Sequence, residues 1–476
     1  MLPTLFTEEA APFVALSRLF RHLWFQRIWV VQEVAAAEVV HVMYNGICIE
    51  WNTLAQAVRE IHSAINLSRQ MKYYDDTKTS TIETIGRDPS LDYSYWLNAE
   101  IMATIRDQVQ NGNPLPLAVL ILGTLGFKSK DPRDKLFALL GIASDGADLP
   151  LTPSYNESVE SVFTNVTSFV LSSESWFMLL ASTGRGYEAA GSTRPPDSPL
   201  PKDLPSWVPD YTTNDFGGAL SRGVRDKMLR SRQAGKVAFT DNPRVIRIEA
   251  VAFDSIRLVD SKLKYPTFGF RTPDPELPTG TFTKRMEELL TSTAAEGQNW
   301  YLEARQLTRS YSASSRESQE AADQQFWELC MSGNPSFENS DSSPALYPLL
   351  SQSARKLFEF FKLTERSHFW QHVGDWSMKE KLSEEEVVKL YTNLEQRFFE
   401  TTSEKAFCVT STGSVALAPP LAREGDVLVH VKGDYTPLVL RRKESGERRA
   451  ELVGSCYVHG VQDLCPGSDW EVWSLE

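Results

Sequence analysis

The chain has 476 residues, of which 42% are hydrophobic and 23% charged, and at about 150 residues per domain this length predicts about three domains. Its 49 Lys and Arg residues face 62 Asp and Glu residues, and the resulting net charge of −13 argues against a general affinity for nucleic acids or anionic lipid surfaces. The five cysteines form no CxxC pair and are too few for a disulfide framework. The N-terminus lacks the basic start of a secretion signal, and the longest apolar run, residues 114–127, is shorter than the ~20 residues that span a bilayer. We therefore expect a cytoplasmic protein without a membrane span.

The first sixty residues predict helices on both sides of a hairpin. Apolar residues at helical spacing indicate helices over 13–26 and 27–37. Asn45 and Gly46 then lie between two apolar runs, a pattern typical of a tight type I′ hairpin turn. A further helix is predicted over 51–61. This part of the chain therefore mixes helices with one short antiparallel ribbon.

The next hundred residues predict further helices. Residues 66–113 are polar and predict a loop, with some helix between Tyr93 and Val109. In the segment that follows, Asp131 is suited to an N-cap, Pro132 to the first helical position and Gly141 to the C-terminal stop. The charged residues here could be read as an active-site cluster, but capping explains them and is the favoured interpretation.

The second half of the chain predicts a helical region and then a β unit. Residues 183–205, rich in Pro, Gly and Ser, predict a linker, and a strand is predicted within 242–256. Helical stretches follow at 282–332 and 345–400. From residue 404 five short β runs alternate with Gly-containing turns, and they predict a small antiparallel barrel or sandwich that buries alternate faces and folds alone. The fold class is therefore α+β. The predicted boundaries are 1–175, 176–241 (a linker with an extended segment), 242–403 (mainly helical) and 404–476.

Several motifs occur in an order that resembles fungal heterokaryon incompatibility (HET) domain proteins. They are residues 24–40, Trp51, 131–145, 153–163, 204–211 and 407–461. The resemblance implies a partial α/β domain, distantly similar to TIR domains, because the family's opening aromatic-x-Trp-Gly and Cys-Ile-Asn-Gln segments do not occur. It also implies a role in non-self recognition and regulated cell death, as a signalling module that binds a protein partner.

The resemblance assigns structural roles to many motif residues. They are Trp24, Phe25, Arg27, Gln32, Trp51, Asp131, Pro132, Arg133, Asp134, Lys135, Gly141, Trp207, Pro209, Asp210, Gly425, Asp426, Tyr457, His459 and Gly460. Arg133 is expected to hold a neighbouring loop through a bidentate carboxylate contact. Trp207 is expected to pack in a groove, on a segment that Pro205 and Pro209 stiffen.

An enzymatic alternative rests on Trp29 and Glu33, which lie four residues apart and hence on one helix face. Some TIR domains cleave NAD with a glutamate placed four residues after a tryptophan, and Glu33 resembles that residue. A carboxylate can stabilise the oxocarbenium-like charge that forms when nicotinamide leaves, and the indole could stack on the leaving ring. NAD would then be a substrate and no cofactor is expected. In the alternative, structural interpretation, Trp29 packs in the hydrophobic core and Glu33 forms an ion pair with a nearby arginine such as Arg27.

Other chemistry finds less support in the sequence. His368 and His372 have the spacing of a helical metal pair, but no third ligand accompanies them, and His459 is interpreted as a structural residue. The sequence contains neither a phosphate-binding GxxxxGK[ST] loop nor a GxSxG nucleophile elbow. No metal site is therefore predicted.

One expectation concerns the apolar residues of the first helices. If the opening strands of the family's domain are missing, these side chains should lack a sheet to cover them. They are Phe13, Leu16, Phe20, Trp24 and Ile28. The first 60 residues should then dock on later helices, self-associate or stay mobile.

Overall fold

A computed structural model describes a little more than half of the chain. The described residues are 16, 19–60, 93–172, 179–180, 183–184, 203–212, 237–264, 295–311, 316–332, 394, 398, 401–402, 405–432, 436–443, 448–458 and 469–476. The chain divides into two compact units, one of residues 1–166, 211–214 and 274–278 and one of residues 167–210, 215–273 and 279–476. Phe13, His368, His372, His459, Gly460 and most of the predicted linker and of the 345–400 helix lie outside the described residues.

The first unit is helical apart from one hairpin in its described residues. Its elements are a 3₁₀ turn at Leu23–Gln26, α1 Ile28–Ala36, β1 His41–Tyr44, β2 Ile47–Glu50, α2 at 51–60, α3 Tyr93–Gln110, α4 Leu117–Gly123, α5 Asp134–Leu140 and α6 Val159–Ser172, which continues into the second unit. The two predicted helices at the start are separated by Arg27, whose backbone is extended (φ −84°, ψ 131°). The helix predicted between Tyr93 and Val109 is confirmed as α3.

The predicted hairpin is confirmed, and its turn has the expected geometry. Asn45 and Gly46 both have positive φ, 47° and 79°. Two successive left-handed residues define the type I′ turn, whose twist matches that of the flanking strands. The register places Tyr44 opposite Ile47 and His41 opposite Glu50.

The first helices are covered by α3, which corrects the expectation that their apolar residues lack a partner. Phe20 and Ile28 are both 0% exposed. The Phe20 ring lies 4.9 Å from that of Trp96 in α3 and 5.1 Å from that of Phe25, both in edge-to-face arrangements. Of the three outcomes expected for this segment, docking on a later helix is the one observed. A helix can bury the stripe that a sheet was expected to bury, because both offer an apolar surface.

The second unit contains a nine-stranded sheet and two described helices. They are β3 Ala238–Phe239, β4 Ile246–Lys264, α7 Ala295–Ser310, α8 Arg316–Ser332, β5 Ala406–Thr410, β6 Val415–Ala418, β7 Val427–Val431, β8 Leu438–Arg442, β9 Arg449–Ser455, β10 Tyr457–Val458 and β11 Glu471–Leu475. The mixture of helices and strands confirms the α+β class. The helical stretch predicted over 282–332 contains two helices in its described part.

The strands close into a ring around the first half of β4. This half pairs with β11 and with β7, and the ring continues from β11 through β9 and β8 to β7. The second half of β4 pairs with β5, which is followed by β6 and β10. The predicted boundary at residue 404 therefore divides one sheet, and the strand predicted within 242–256 extends to Lys264. One pairing in the ring, β11 with β9, is parallel, so the predicted purely antiparallel unit is also corrected.

Strands β5, β6 and β7 are buried on both faces, contrary to the predicted burial of alternate faces, whereas β11 leaves Val472 exposed and buries Trp473 and Leu475. All five residues of β7 are buried. A hydrophobic cluster joins Leu428, Val439 and Val453 of the ring to Ile256 and Cys408 of the strands beside it. Strands covered by a second layer have continuous apolar runs, because both sets of side chains leave water. The second layer comes from the bent continuation of β4, which sequence periodicity does not reveal.

A charged cluster joins α7 and α8. Arg305 Nη2 lies 2.6 Å from an oxygen of Asp323, and Arg309 binds the same carboxylate. Burial alone would raise the pKa of Asp323, but hydrogen bonds from the two guanidinium groups outweigh it and lower the pKa. The two helices are thereby held together around a buried carboxylate.

Candidate functional site

The helix α1, which carries Trp29 and Glu33, is anchored at its N-terminal end by a short backbone bridge. The N–H of Lys128 donates to the carbonyl of Gln26 (2.5 Å), and the N–H of Ile28 donates to the carbonyl of Lys128 (3.0 Å). The side chain of Asn98 donates to the carbonyl of Phe25 (3.3 Å). The free N–H groups at this helix end are thus partly satisfied by a neighbouring segment.

The other end of α1 is capped by two side chains of α3. Arg106 donates to the carbonyls of Val34 (2.6 Å) and Glu38 (2.9 Å), and Gln110 donates to that of Ala35 (2.9 Å). A guanidinium group both satisfies the last carbonyls of a helix and complements its dipole. The sequence interpretation missed both residues. Because they are four residues apart on a predicted helix, the sequence indicates that Arg106 and Gln110 lie on one face. It does not indicate that this face approaches the C-terminal end of α1.

Trp29 and Glu33 share one side of α1 but have different surroundings. The indole of Trp29 is half-buried, and the carboxylate of Glu33 is exposed. Among the described residues none forms a hydrogen bond or an ion pair with Glu33, so the expected pairing with Arg27 is not observed. The carboxylate is therefore accessible, and no described donor orients it.

Gln32, the neighbour of Glu33, meets Gly141 at the end of α5. A Cβ atom built on Gly141 would lie 2.6 Å from Nε2 of Gln32. Gly141 ends α5 as predicted, but its φ of −72° is right-handed. The glycine is therefore favoured by the approach of the glutamine and not by a left-handed C-cap.

The charged residues at the start of α5 have structural roles. The carboxylate of Asp131 accepts hydrogen bonds from the backbone N–H (3.0 Å), Nε (2.9 Å) and Nη2 (2.7 Å) of Arg133, and hydrogen bonding to this arginine lowers the pKa of Asp131. Arg133 also donates to the carbonyl of Tyr155 (2.8 Å), so it does hold a neighbouring loop, but through a backbone carbonyl, while its bidentate carboxylate contact is with Asp131. The Tyr155 hydroxyl donates to Asp134 (2.6 Å), which raises the pKa of Tyr155 to about 12. Pro132 and Arg133 form a turn before α5 begins at Asp134, so Asp131 holds this turn and is not the N-cap that was predicted, and Pro132 is not the first helical residue.

Lys135 of the same motif is a buried cation. Its Nζ donates to the carbonyl of Leu125 (2.8 Å) and to that of Phe127. Burial lowers the pKa of this amine to about 8, since the charged form loses its hydration. Lys135 thereby fixes residues 125–127. The residue that follows them, Lys128, forms the backbone bridge to α1.

Residues 204–210 form no strand, but they pack against the ring of strands in the second unit. Trp207 is completely buried, and its Nε1 donates to the carbonyl of Arg244 (3.1 Å). Ser206 Oγ accepts from the N–H of Leu452 (2.8 Å), and the Ser206 N–H donates to the carbonyl of Glu476 (3.0 Å). Pro209 is buried and Asp210 half-buried. The packing role expected for Trp207 is observed, whereas the role of Ser206 was missed.

Gly425 and Asp426 form the turn before β7. Gly425 has a φ of +89°, which favours glycine. The buried carboxylate of Asp426 accepts two hydrogen bonds from Arg441, at 2.9 and 2.8 Å, and one from the N–H of Arg423 (2.8 Å). Tyr457, the last motif residue that is described, is buried. These residues stabilise the sheet of the second unit.

The hairpin and the turn before α1 expose large apolar side chains. They are Leu23 (67% exposed), Val39 (64%), Met43 (76%) and Ile47 (63%). Cross-strand partners share a face, so the exposed Met43 and Cys48 lie on one side of the ribbon, and Tyr44 and Ile47 on the other. The ring of His22 lies 6.3 Å from that of Tyr44, so the turn before α1 lies close to the hairpin. The sequence predicted the hairpin but not this exposure.

Comparisons of the whole chain give no match: no family model, curated protein or solved structure is similar to it at a significant level. Within the described residues no group of three or more His, Cys, Asp or Glu side chains could hold a metal ion. Among the described helices, none combines the length and apolar character needed to cross a membrane.

Proposed function

We propose that the chain is a heterokaryon incompatibility-type protein that acts as an interaction module in non-self recognition and regulated cell death. The family assignment rests on the ordered sequence motifs. The choice of an interaction module rests on one structural observation, the exposed apolar tip of the hairpin, which carries Met43 on one face and Ile47 on the other. Large apolar side chains that are exposed together on one short element favour a site of association, since single scattered ones are ordinary.

The framework behind the hairpin supports this proposal. The preceding helix α1 is fixed at its C-terminal end by Arg106 and at its N-terminal end by Lys128. The hairpin itself is a two-stranded ribbon, which has little stability of its own in water. The fixed helix α1 therefore carries an apolar hairpin of low intrinsic stability. Such an arrangement is suited to binding, because the partner supplies the contacts that the hairpin lacks and the fixed helix limits the conformational entropy lost on association.

NAD cleavage by Glu33 is the second candidate. In its favour, Trp29 and the accessible Glu33 carboxylate lie on one side of an anchored helix. Against it, carboxylates that stabilise an oxocarbenium ion act in sites that exclude water and fix their orientation, and Glu33 is exposed. The interaction module therefore has the stronger support, and the partial TIR-like domain remains part of the proposal.

Inducible expression in a filamentous fungus tests the leading proposal. The wild-type chain should arrest growth, and Ile47→Lys should abolish the arrest because a charge then lies in the apolar tip. Val39→Lys is the matched control, since Val39 has the same type and exposure but lies outside the paired strands. Equal arrest by wild type and Ile47→Lys would refute a role for the hairpin.

A further inference from the structure

We infer that the partner of the hairpin is a second copy of this chain, which adds its own β2 to the outer edge of β2 about a two-fold axis. The inference rests on the proposed function, because it names the partner of the same surface. It is carried by three features of the ribbon, namely an open edge, a self-complementary register and apolar side chains on both faces.

The open edge follows from the hydrogen-bond pattern of the hairpin. The N–H of Trp51 donates to the carbonyl of Val40 (2.9 Å), so residues 40 and 51 form a hydrogen-bonded pair. Such pairs alternate with non-hydrogen-bonded ones along an antiparallel ribbon. The register therefore turns the backbone N–H and C=O groups of Cys48 and Glu50 away from β1. No strand of the described residues pairs with this edge, which is thus available to another strand.

One register makes the edge complementary to itself. With Cys48 opposite Cys48 of the second copy, the exposed pair Met43–Cys48 meets its own image, and four uncharged side chains form one row across the sheet. On the other face Ile47 lies beside Ile49 of the second copy, which covers a side chain that is 63% exposed in a single chain. Each Glu50 then faces Gly46 of the other copy, so no like charges meet.

The neighbouring register lacks these advantages. With Cys48 opposite Glu50 of the second copy, a carboxylate would enter the row that contains Met43. Ile47 would then face Trp51 of the second copy, which is already buried within its own chain. An isologous contact satisfies both copies with one set of side chains, as in most homodimers, and of these two registers the first is the one in which the exposed groups of β2 meet that requirement.

Sedimentation velocity of the full chain over a range of concentrations tests the inference. Wild type should form a dimer, Ile47→Lys should remain a monomer at the same concentrations, and Val39→Lys should dimerise like wild type. Circular dichroism at a concentration where wild type is monomeric should show that both lysine variants melt at the wild-type temperature, since both side chains are exposed in a single chain.

Crosslinking gives a second readout that tests the register. In a hydrogen-bonded antiparallel pair the two Cys48 Cα atoms would be about 5.5 Å apart, a distance that a disulfide can span. In a Cys465→Ser background, mild oxidation should give a covalent dimer that a further Cys48→Ser change abolishes. Cys330, Cys408 and Cys456 are buried and should not interfere.

A wild-type chain that is monomeric at every concentration would overturn the inference, as would a dimer that survives Ile47→Lys or fails to crosslink through Cys48. A monomeric chain whose growth arrest is still abolished by Ile47→Lys would leave the proposed function standing with a different partner. The two failures are therefore distinguishable.

Discussion

Gln32 of α1 occupies the space that a side chain on Gly141 would need, with 2.6 Å between its Nε2 and the position of that missing Cβ. The contact joins the helix that carries Glu33 to the end of α5, two motifs that are more than a hundred residues apart in the sequence. It also predicts that Gly141→Ala destabilises the chain when Gln32 is present and does not when Gln32 is replaced by alanine.

Gly141→Ala should destabilise the wild-type chain by about 1 kcal/mol, because the new methyl group forces Gln32 out of its position. In a Gln32→Ala background the same change should be neutral or stabilise by up to about 1 kcal/mol. The φ of residue 141 is −72°, which alanine adopts without strain, and alanine restricts the unfolded chain. Urea unfolding of the four proteins in this double-mutant cycle measures the coupling. Additive effects would show that the two residues do not interact.

Gly184 should be far less tolerant than Gly413. A Cβ on Gly184 would lie 2.5 Å from the carbonyl carbon and oxygen of Val453, and its φ is +136°. Gly413 also has a positive φ, +88°, but nothing lies within 4 Å of its missing Cβ. Gly184→Ala should therefore lose about 1–3 kcal/mol more than Gly413→Ala, which isolates the steric clash from the backbone strain. Equal melting temperatures for the two variants would contradict the close approach of residue 184 to β9.

Lys135 should make stability rise with pH in the alkaline range. Its pKa is about 8 in the folded chain, against 10.5 for an ordinary lysine. Between these values the unfolded chain binds a proton that the folded chain has lost, so the free energy of unfolding increases with pH, by up to ~3 kcal/mol. Lys135→Met should remove this increase.

Urea unfolding of both proteins at neutral pH and above pH 10 checks the prediction for Lys135. The difference between the two proteins cancels the titration of groups they share. A pH dependence that is identical with and without Lys135 would show that the amine is not buried in solution.

Residues 404–476 should not fold without β4. Five β runs predicted an independent unit, but β4 pairs with both β7 and β11 and closes the ring. We expect a coil spectrum for the isolated fragment and a cooperative melt once a peptide of residues 237–264 is added, since each open edge then regains its partner. A cooperative melt of the fragment by itself would contradict the central place of β4.

The sequence predicted elements that depend on local chemistry. Asn45 and Gly46 fix the hairpin because only a few residues adopt two successive left-handed conformations. Asp131 accepts a hydrogen bond from the N–H of Arg133, so the turn before α5 is readable from neighbours in sequence, whereas the predicted helix start at Pro132 lies two residues too early. The pairing of β4 with strands about 170 residues away is different. Apolar periodicity shows that a strand is buried but not which strand lies beside it.

The same limit applies to the candidate site. The spacing of Trp29 and Glu33 places both on one face of α1, but the exposure of Glu33 depends on α3 and α5, which are distant in sequence. Arg106 caps α1 from a helix about seventy residues later, and no local pattern indicates that target. The exposed Met43 and Ile47 look like ordinary strand residues in the sequence, because alternation alone does not reveal whether either face is covered.

A direct comparison of Ile47→Lys and Glu33→Ala in the same fungal host tests most directly whether the chain acts by binding. Growth arrest and cellular NAD are measured after induction of each variant at equal protein level. Binding through the hairpin predicts that Ile47→Lys abolishes the arrest, whereas Glu33→Ala arrests growth like wild type and leaves NAD unchanged. An arrest that Glu33→Ala abolishes and Ile47→Lys preserves, with NAD consumed only when Glu33 is present, would contradict this account and establish the glycohydrolase instead.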